Sequence, residues 1–166
     1  MKIIVNDPLI AGKFIEKYPN YYQSSLLNSL TNRERVVQRK FPRRRGLTTL
    51  LNNYVVEELY SRSDYSILFM KPNGSNIRQA TCDIADIINY RSSYQKFPLF
   101  SSTTPAQICT INNSMIKFST HPALYASGTK YDLIISDNCR FIDDNIFYMS
   151  RCAIKDDGKL LIVNNV

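Results

Sequence analysis

Three stretches of this chain are apolar almost without interruption: YSILFMK at 65–71, YDLIIS at 131–136 and KLLIVNN at 159–165. A strand covered on one face alternates apolar with polar residues, whereas a strand with hardly a polar position has to be buried on both faces, as in a parallel sheet layered between helices. The segments between them carry the other period. Leu47, Leu50, Leu51, Tyr54, Val55 and Leu59 recur at helical spacing, as do Ile77, Thr81, Ile84, Ala85 and Ile88, and then Ile142, Ile146, Met149, Ser150 and Ala153. Helical crossovers between apolar strands predict a three-layer α/β/α sandwich with a largely parallel central sheet.

The remaining elements fit around this frame. Residues 8–17 and 20–31 read as short helices, the second with Asn20 placed to cap it, and RVVQRKF at 35–41 reads as a strand stopped by Pro42. PNGSN at 72–76 is a turn, 92–106 a loop, and 107–112 with 114–119 a hairpin about Asn112 and Asn113. The final strand follows a turn at DDG, 156–158. At 166 residues and 44% hydrophobic content the chain has the makings of one domain, 1–166, with a substantial core. No run approaches a membrane span and the N-terminus does not resemble a secretory signal, so a cytosolic chain without a membrane partner is expected.

Histidine and cysteine usage removes several chemistries. The four cysteines, Cys82, Cys109, Cys139 and Cys152, form no CxxC pair, and His121 is the single histidine, which argues against a zinc site and against His-dependent nucleophilic catalysis. Each cysteine falls within an apolar periodic segment and reads as a small reduced core residue.

The charge is concentrated. RERVVQRKFPRRR, 33–45, carries seven basic residues against one acid, which is six of the chain's net seven positive charges. A localised basic surface attracts phosphate, whether of nucleotide or of nucleic acid. Arg33, Arg35, Arg39 and Lys40 are the candidate nucleic-acid contacts, and Tyr21, Tyr22, Tyr54, Tyr60 and Tyr65 lie near enough in sequence to stack bases or simply to pack.

Within that run, FPRRRGLTT at 41–49 joins a strand to a helix, the setting in which backbone N–H groups and a helix N-terminus surround phosphates. Against G-x-x-x-x-G-K-[ST], Gly46 and Thr48 match, while Phe41 and Leu47 stand in place of the first glycine and the lysine. Far downstream, the apolar strand YDLIIS ends in Asp137, where a magnesium-holding acid belongs, followed by Asn138.

The ordered set of segments resembles the ATPase domain of the large terminase subunit, the motor that packages DNA into viral capsids. NYYQSSLLNSL resembles the adenine-recognition segment, with Tyr22 and Gln23 as its aromatic-Gln pair, and RVVQRKFPRRRGLTTLL resembles the strand and P-loop, with Arg43 as the loop arginine. SILFMKPNGSNIRQATCDIADII resembles the strand and helix that follow, and MIKFSTHPALYASGTKYDLIISDNCRFI the hairpin, the turn at Gly128 and the Walker B strand, where Asp137, Cys139 and Phe141 fit. The resemblance covers about residues 20–165 and implies a P-loop NTPase of the ASCE type. It implies ATP and Mg2+ as cofactors, none being required if the pocket is vestigial. Arg43, Arg44, Arg45, Gly46, Leu47, Thr48 and Thr49 would form the nucleotide loop, Thr48 and Asp137 the metal ligands, and Asp137 with Asn138 the catalytic end of the Walker B strand. DNA or another nucleic acid, a packaging or replication partner and an oligomeric assembly follow as partners, and the infected host cytoplasm as location. Residues 1–18 would be a helical extension, and the coupling segment and nuclease domain of the resembled family lie outside this sequence.

The departures point away from turnover. Leu47 replaces the lysine, Asn138 the catalytic glutamate, and Ser127 the arginine before Gly128. Asparagine orients a water but takes no proton from it, and leucine neutralises no phosphate charge; each such loss lowers rates by about 10²-fold or more. Three readings remain open: a degenerate terminase-like domain of viral origin that binds without hydrolysing, a working ATPase in which a loop arginine replaces the lysine, and a basic interaction module with an empty pocket.

Overall fold

The structure is a computed structural model and describes all residues except 8, 10–12, 33, 95–99, 105–106, 111, 121–127 and 140–143. In chain order the described elements are β1 (Ile3–Asn6), β2 (Phe14–Lys17), α1 (Tyr21–Thr31), β3 (Val36–Phe41), α2 (Leu47–Ser61), β4 (Ser66–Met70), α3 (Gly74–Tyr94), β5 (Phe100–Thr104), β6 (Gln107–Thr110), β7 (Met115–Ser119), β8 (Tyr131–Asp137), α4 (Asp144–Cys152) and β9 (Ile154–Asn165). Seven strands form one sheet in the order β3-β9-β8-β4-β7-β6-β5. From β3 to β7 every pairing is parallel; β6 and then β5 add antiparallel edges.

The apolar strands are covered on both faces, as their composition demands. Ile67, Phe69, Leu133, Ile135, Leu161 and Val163 point to one side, into a core shared with α1, α2 and α3. Leu68, Met70, Ile134, Leu160 and Ile162 point to the other, where Phe147 of α4 packs against them. All five residues of β4 are buried, so this central strand has nowhere to hold a polar group unless it is paired.

Three elements, and the placement of the cysteines, differ from the sequence expectation. Residues 14–17, expected as part of a helix, form β2, which pairs antiparallel with β1. The cause is tertiary: the Asn53 side chain of α2 accepts from the Ile4 N–H (2.8 Å) and donates to the Ile4 C=O (3.0 Å), holding β1 as a neighbouring strand would. The stretch 92–106, expected as a loop, contains the end of α3 and strand β5. DDG is no turn but a bulge inside β9, because the register passes from Tyr131↔Ile154 to Leu133↔Lys159. A Cβ on Gly158 there would sit 3.0 Å from each of the Tyr131 and Asp132 carbonyl oxygens. The cysteines are free and stand outside the fully buried core: Cys82 is exposed on α3, and Cys109, Cys139 and Cys152 are half-buried.

Candidate polyphosphate site

Strand β3 ends in the buried Phe41, and the chain turns through 42–46 into α2. Arg44 (φ 59°) and Gly46 (φ 77°) take the left-handed conformation that curls the loop. Arg43 N–H donates to the Val166 C=O (3.2 Å), and Val166 N–H to the Phe41 C=O (3.0 Å), so β9 clamps the loop's start. Its end is clamped from α1: Asn20 Nδ2 donates to the Arg45 C=O (3.1 Å) and Gln23 Nε2 to the Gly46 C=O (3.0 Å). The same two residues close a capping box, Asn20 N–H to Gln23 Oε1 (2.9 Å) and Gln23 N–H to Asn20 Oδ1 (3.0 Å). Both ends of the Gln23 amide are therefore engaged inside the protein, bracing α1 against the loop.

The first residues of α2 divide in function. Leu47 is buried in the core, whereas Thr48 is exposed and lines a cavity of about 130 Å³ with Lys71, Asn76, Gln79, Asp137 and Asn138. This cavity lies outside the carboxyl ends of β4 and β8, where ligands of open parallel sheets bind. Thr49 is half-buried beside it, its carbonyl accepting from Asn53 Nδ2 (2.9 Å).

At the end of β8, Asp137 meets a residue that sequence reasoning passed over. Lys71, immediately after β4, places its Nζ 2.5 Å from Asp137 Oδ2, with the two side chains 3% and 6% exposed. The Phe69 ring, on the same side of the strand, lies 4.1 Å below the ammonium. The signal was present in retrospect: Met70 is in register with Ser136 on the adjacent parallel strand, so the next residue on each strand is Lys71 and Asp137. A buried strand that ends in lysine beside one that ends in aspartate predicts their pairing. Asn138 takes the left-handed conformation (φ 55°) and its Oδ1 accepts from Asn165 N–H (3.2 Å), joining β8 to β9. Burial pushes the Cys139 thiol up, keeping it protonated and unreactive.

These contacts bear on the magnesium that the fold implies. A divalent ion at Thr48 and Asp137 needs the carboxylate, and the carboxylate is already paired with an ammonium in a buried setting. The residues present do not fit Mg2+ at this position. Among the described residues no group of three or more His, Cys, Asp or Glu side chains is placed to hold a metal elsewhere.

The basic residues line the edge of the sheet and the loop. β3 is the outermost strand; Arg39 and Lys40 are exposed on it and Arg35 just before it, as charged edge residues that also discourage strand addition. Arg35 donates to the Lys155 C=O (2.8 Å) and Arg39 to Ser29 Oγ (3.3 Å); Arg33 lies outside the described residues. Arg43, Arg44 and Arg45 are exposed on the loop, Arg45 with its guanidinium 5.5 Å from the Tyr22 ring centroid. Tyr18 and Tyr21 beside it are 81% and 82% exposed. A cavity of about 370 Å³ joins Lys17, Tyr18, Arg44, Arg45 and Gly46. Tyr54, Tyr60 and Tyr65, by contrast, pack against the core.

Solved structures share this architecture. The ATPase domain of the large terminase of Thermus phage P74-26 superposes with a TM-score of 0.67 at 14% identity, over 89% of this chain and 65% of that one. The fold is that of a phage large-terminase ATPase domain. The large terminase of bacteriophage HK97 agrees at a TM-score of 0.70 and 14% identity, over 90% of this chain and 33% of that one. The chain thus spans just under two thirds of the terminase ATPase domain and a third of the whole HK97 terminase. No family model and no curated protein matches the sequence. The terminase-type strand, loop and helix order is what brings positions 46–48 opposite Asp137, and no helix among the described residues is long and apolar enough to cross a membrane.

Proposed function

We propose that this chain is a terminase-like P-loop domain of viral origin that binds polyphosphate, nucleic acid above all, and does not turn ATP over. The observation that carries the reading is the division at the start of α2. The position of the phosphate lysine is a core leucine, while three arginines remain exposed on the loop before it. A buried Leu47 has no route back to the phosphate position, and it helps hold α2 on the sheet. What the loop retains is positive charge, a helix N-terminus and neighbouring tyrosines. That set neutralises a phosphate backbone and stacks bases, and needs no proton transfer. A packaging or replication protein in the infected cell's cytoplasm is the expected context, with DNA as the first polyanion to try.

The test is fluorescence anisotropy of the full chain against single-stranded and duplex DNA over a salt series. Binding should weaken steeply with salt. Replacing Arg43, Arg44 and Arg45 together by Ala should lower the magnitude of the log–log slope by about 2–3, since each phosphate contact contributes about 0.7–0.9. Tyr22→Ala should weaken single-stranded binding by about 1–3 kcal/mol. Absence of DNA binding at low salt, or binding that ignores the arginines, rejects the proposal.

A further inference from the structure

We infer that Lys71 occupies the seat of the divalent cation, so that the site takes a nucleoside triphosphate or other polyphosphate without Mg2+. The inference rests on the polyphosphate reading of the loop given above and assigns the chemistry of its far wall. In a P-loop site the hydroxyl of the residue after the loop and the acid at the end of the facing strand hold the metal between them. Here Thr48 and Asp137 line one cavity, and the charge standing at the acid is the Lys71 ammonium, 2.5 Å from Asp137 Oδ2.

Three features fix the ammonium there. It is covered by Phe69 at 4.1 Å. The Lys71 backbone N–H donates to the Ser119 C=O (2.9 Å), continuing the β4–β7 pairing past Met70, so its Cα cannot swing away without breaking the end of that ladder. Both side chains are almost fully buried, and opening a buried pair leaves an uncompensated charge, the costliest way to disrupt it. Recruiting a metal to Asp137 would require that opening. A lysine on a strand also differs from a bound ion in being permanent: its charge arrives with the fold and does not vary with divalent concentration. The Lys71–Asp137 pair is near neutral as a unit, so attraction for phosphate falls to the α2 N-terminus and to Arg43, Arg44 and Arg45.

The experiment has two arms on the full chain. In the first, Mn2+ alone is added to isotopically labelled protein and paramagnetic broadening of amide resonances is mapped; Lys71→Ala and Lys71→Ala/Asp137→Asn are compared with the wild type by electron paramagnetic resonance of free Mn2+. The wild type should show no selective broadening around Thr48 and Asp137, and Lys71→Ala should take up one Mn2+ that the double variant does not. Selective broadening at Thr48 and Asp137 in the wild type overturns the inference, whether or not the variants fold. In the second arm, the affinity of a fluorescent ATP analogue is measured in EDTA and in Mg2+. The wild type should be equal in both, within about twofold, a small fraction of the tenfold that 1.4 kcal/mol represents. Affinity that appears only with Mg2+ overturns the inference. No affinity in either condition, with the first arm as expected, rejects the nucleotide part of the polyphosphate reading and leaves the assignment of Lys71 supported.

Discussion

Gly46→Ala tests whether the loop has the shape described, and its cost can be built from two parts. Gly46 sits at φ 77°, a conformation in which a Cβ-bearing residue is strained by about 1–2 kcal/mol. Its new Cβ would also lie 2.6 Å from Gln23 Nε2, the atom that donates to the Gly46 carbonyl at 3.0 Å. The far end of a glutamine side chain moves readily, so the clash itself is relieved at little cost. The hydrogen bond is lost in the process, at about 0.5–1.5 kcal/mol. The sum is about 1.5–3.5 kcal/mol, read by urea denaturation with an unchanged m-value. Because the second part needs Gln23, the same substitution in a Gln23→Ala background should cost only about 1–2 kcal/mol, a coupling of about 1 kcal/mol in the double-mutant cycle. Equal costs in the two backgrounds would refute the brace between α1 and the loop. A cost below about 0.5 kcal/mol would refute the left-handed turn as well.

Two further perturbations address ties elsewhere in the fold, between β1 and α2 and at the start of β8. Asn53→Leu removes the bonds to the Ile4 N–H and C=O and should destabilise the chain by about 2–4 kcal/mol, with the Ile4 amide losing hydrogen-exchange protection before the rest of the core; protection unchanged at Ile4 rejects the anchoring role. Burial alone would raise the Asp132 carboxyl, but bonds from Lys155, the Ser66 N–H and the Ser66 hydroxyl outweigh it and hold the group below the usual carboxylate range. A depressed folded pKa means stability that is complete above the unfolded value of about 4 and lost as pH falls through the folded one. Asp132→Asn should therefore be less stable than wild type at neutral pH, with the gap closing below about pH 4; a gap that stays constant to low pH contradicts the shift.

The layered fold was legible because burial on both faces leaves a mark that survives in one dimension. The middles of β4, β8 and β9, residues 67–70, 133–135 and 160–163, hold no polar residue, and the helices between them show a clear period. What local pattern could not show depends on partners distant in sequence. Residues 14–17 are a strand because Asn53 holds the neighbouring β1, and DDG is a bulge because Gly158 packs on the Tyr131 and Asp132 carbonyls. The stretch 41–49 stood out through Gly46 and its setting, whereas the ties that Gln23 makes to Gly46 and Asn138 to Asn165 depend on partners distant in sequence. Lys71 was missed for the same reason: it and Asp137 are 66 residues apart in the chain, and only the strand order makes them neighbours. Leu47 was noticed as a missing lysine, and its place in the core shows why the loss is not easily reversed.

The most direct measurement of the central claim is steady-state ATP hydrolysis by the purified chain at saturating Mg2+, with and without DNA, beside the Asp137→Ala variant. The account predicts background rates in every case, with DNA bound but without stimulation. Turnover that DNA stimulates and that Asp137→Ala abolishes would contradict it.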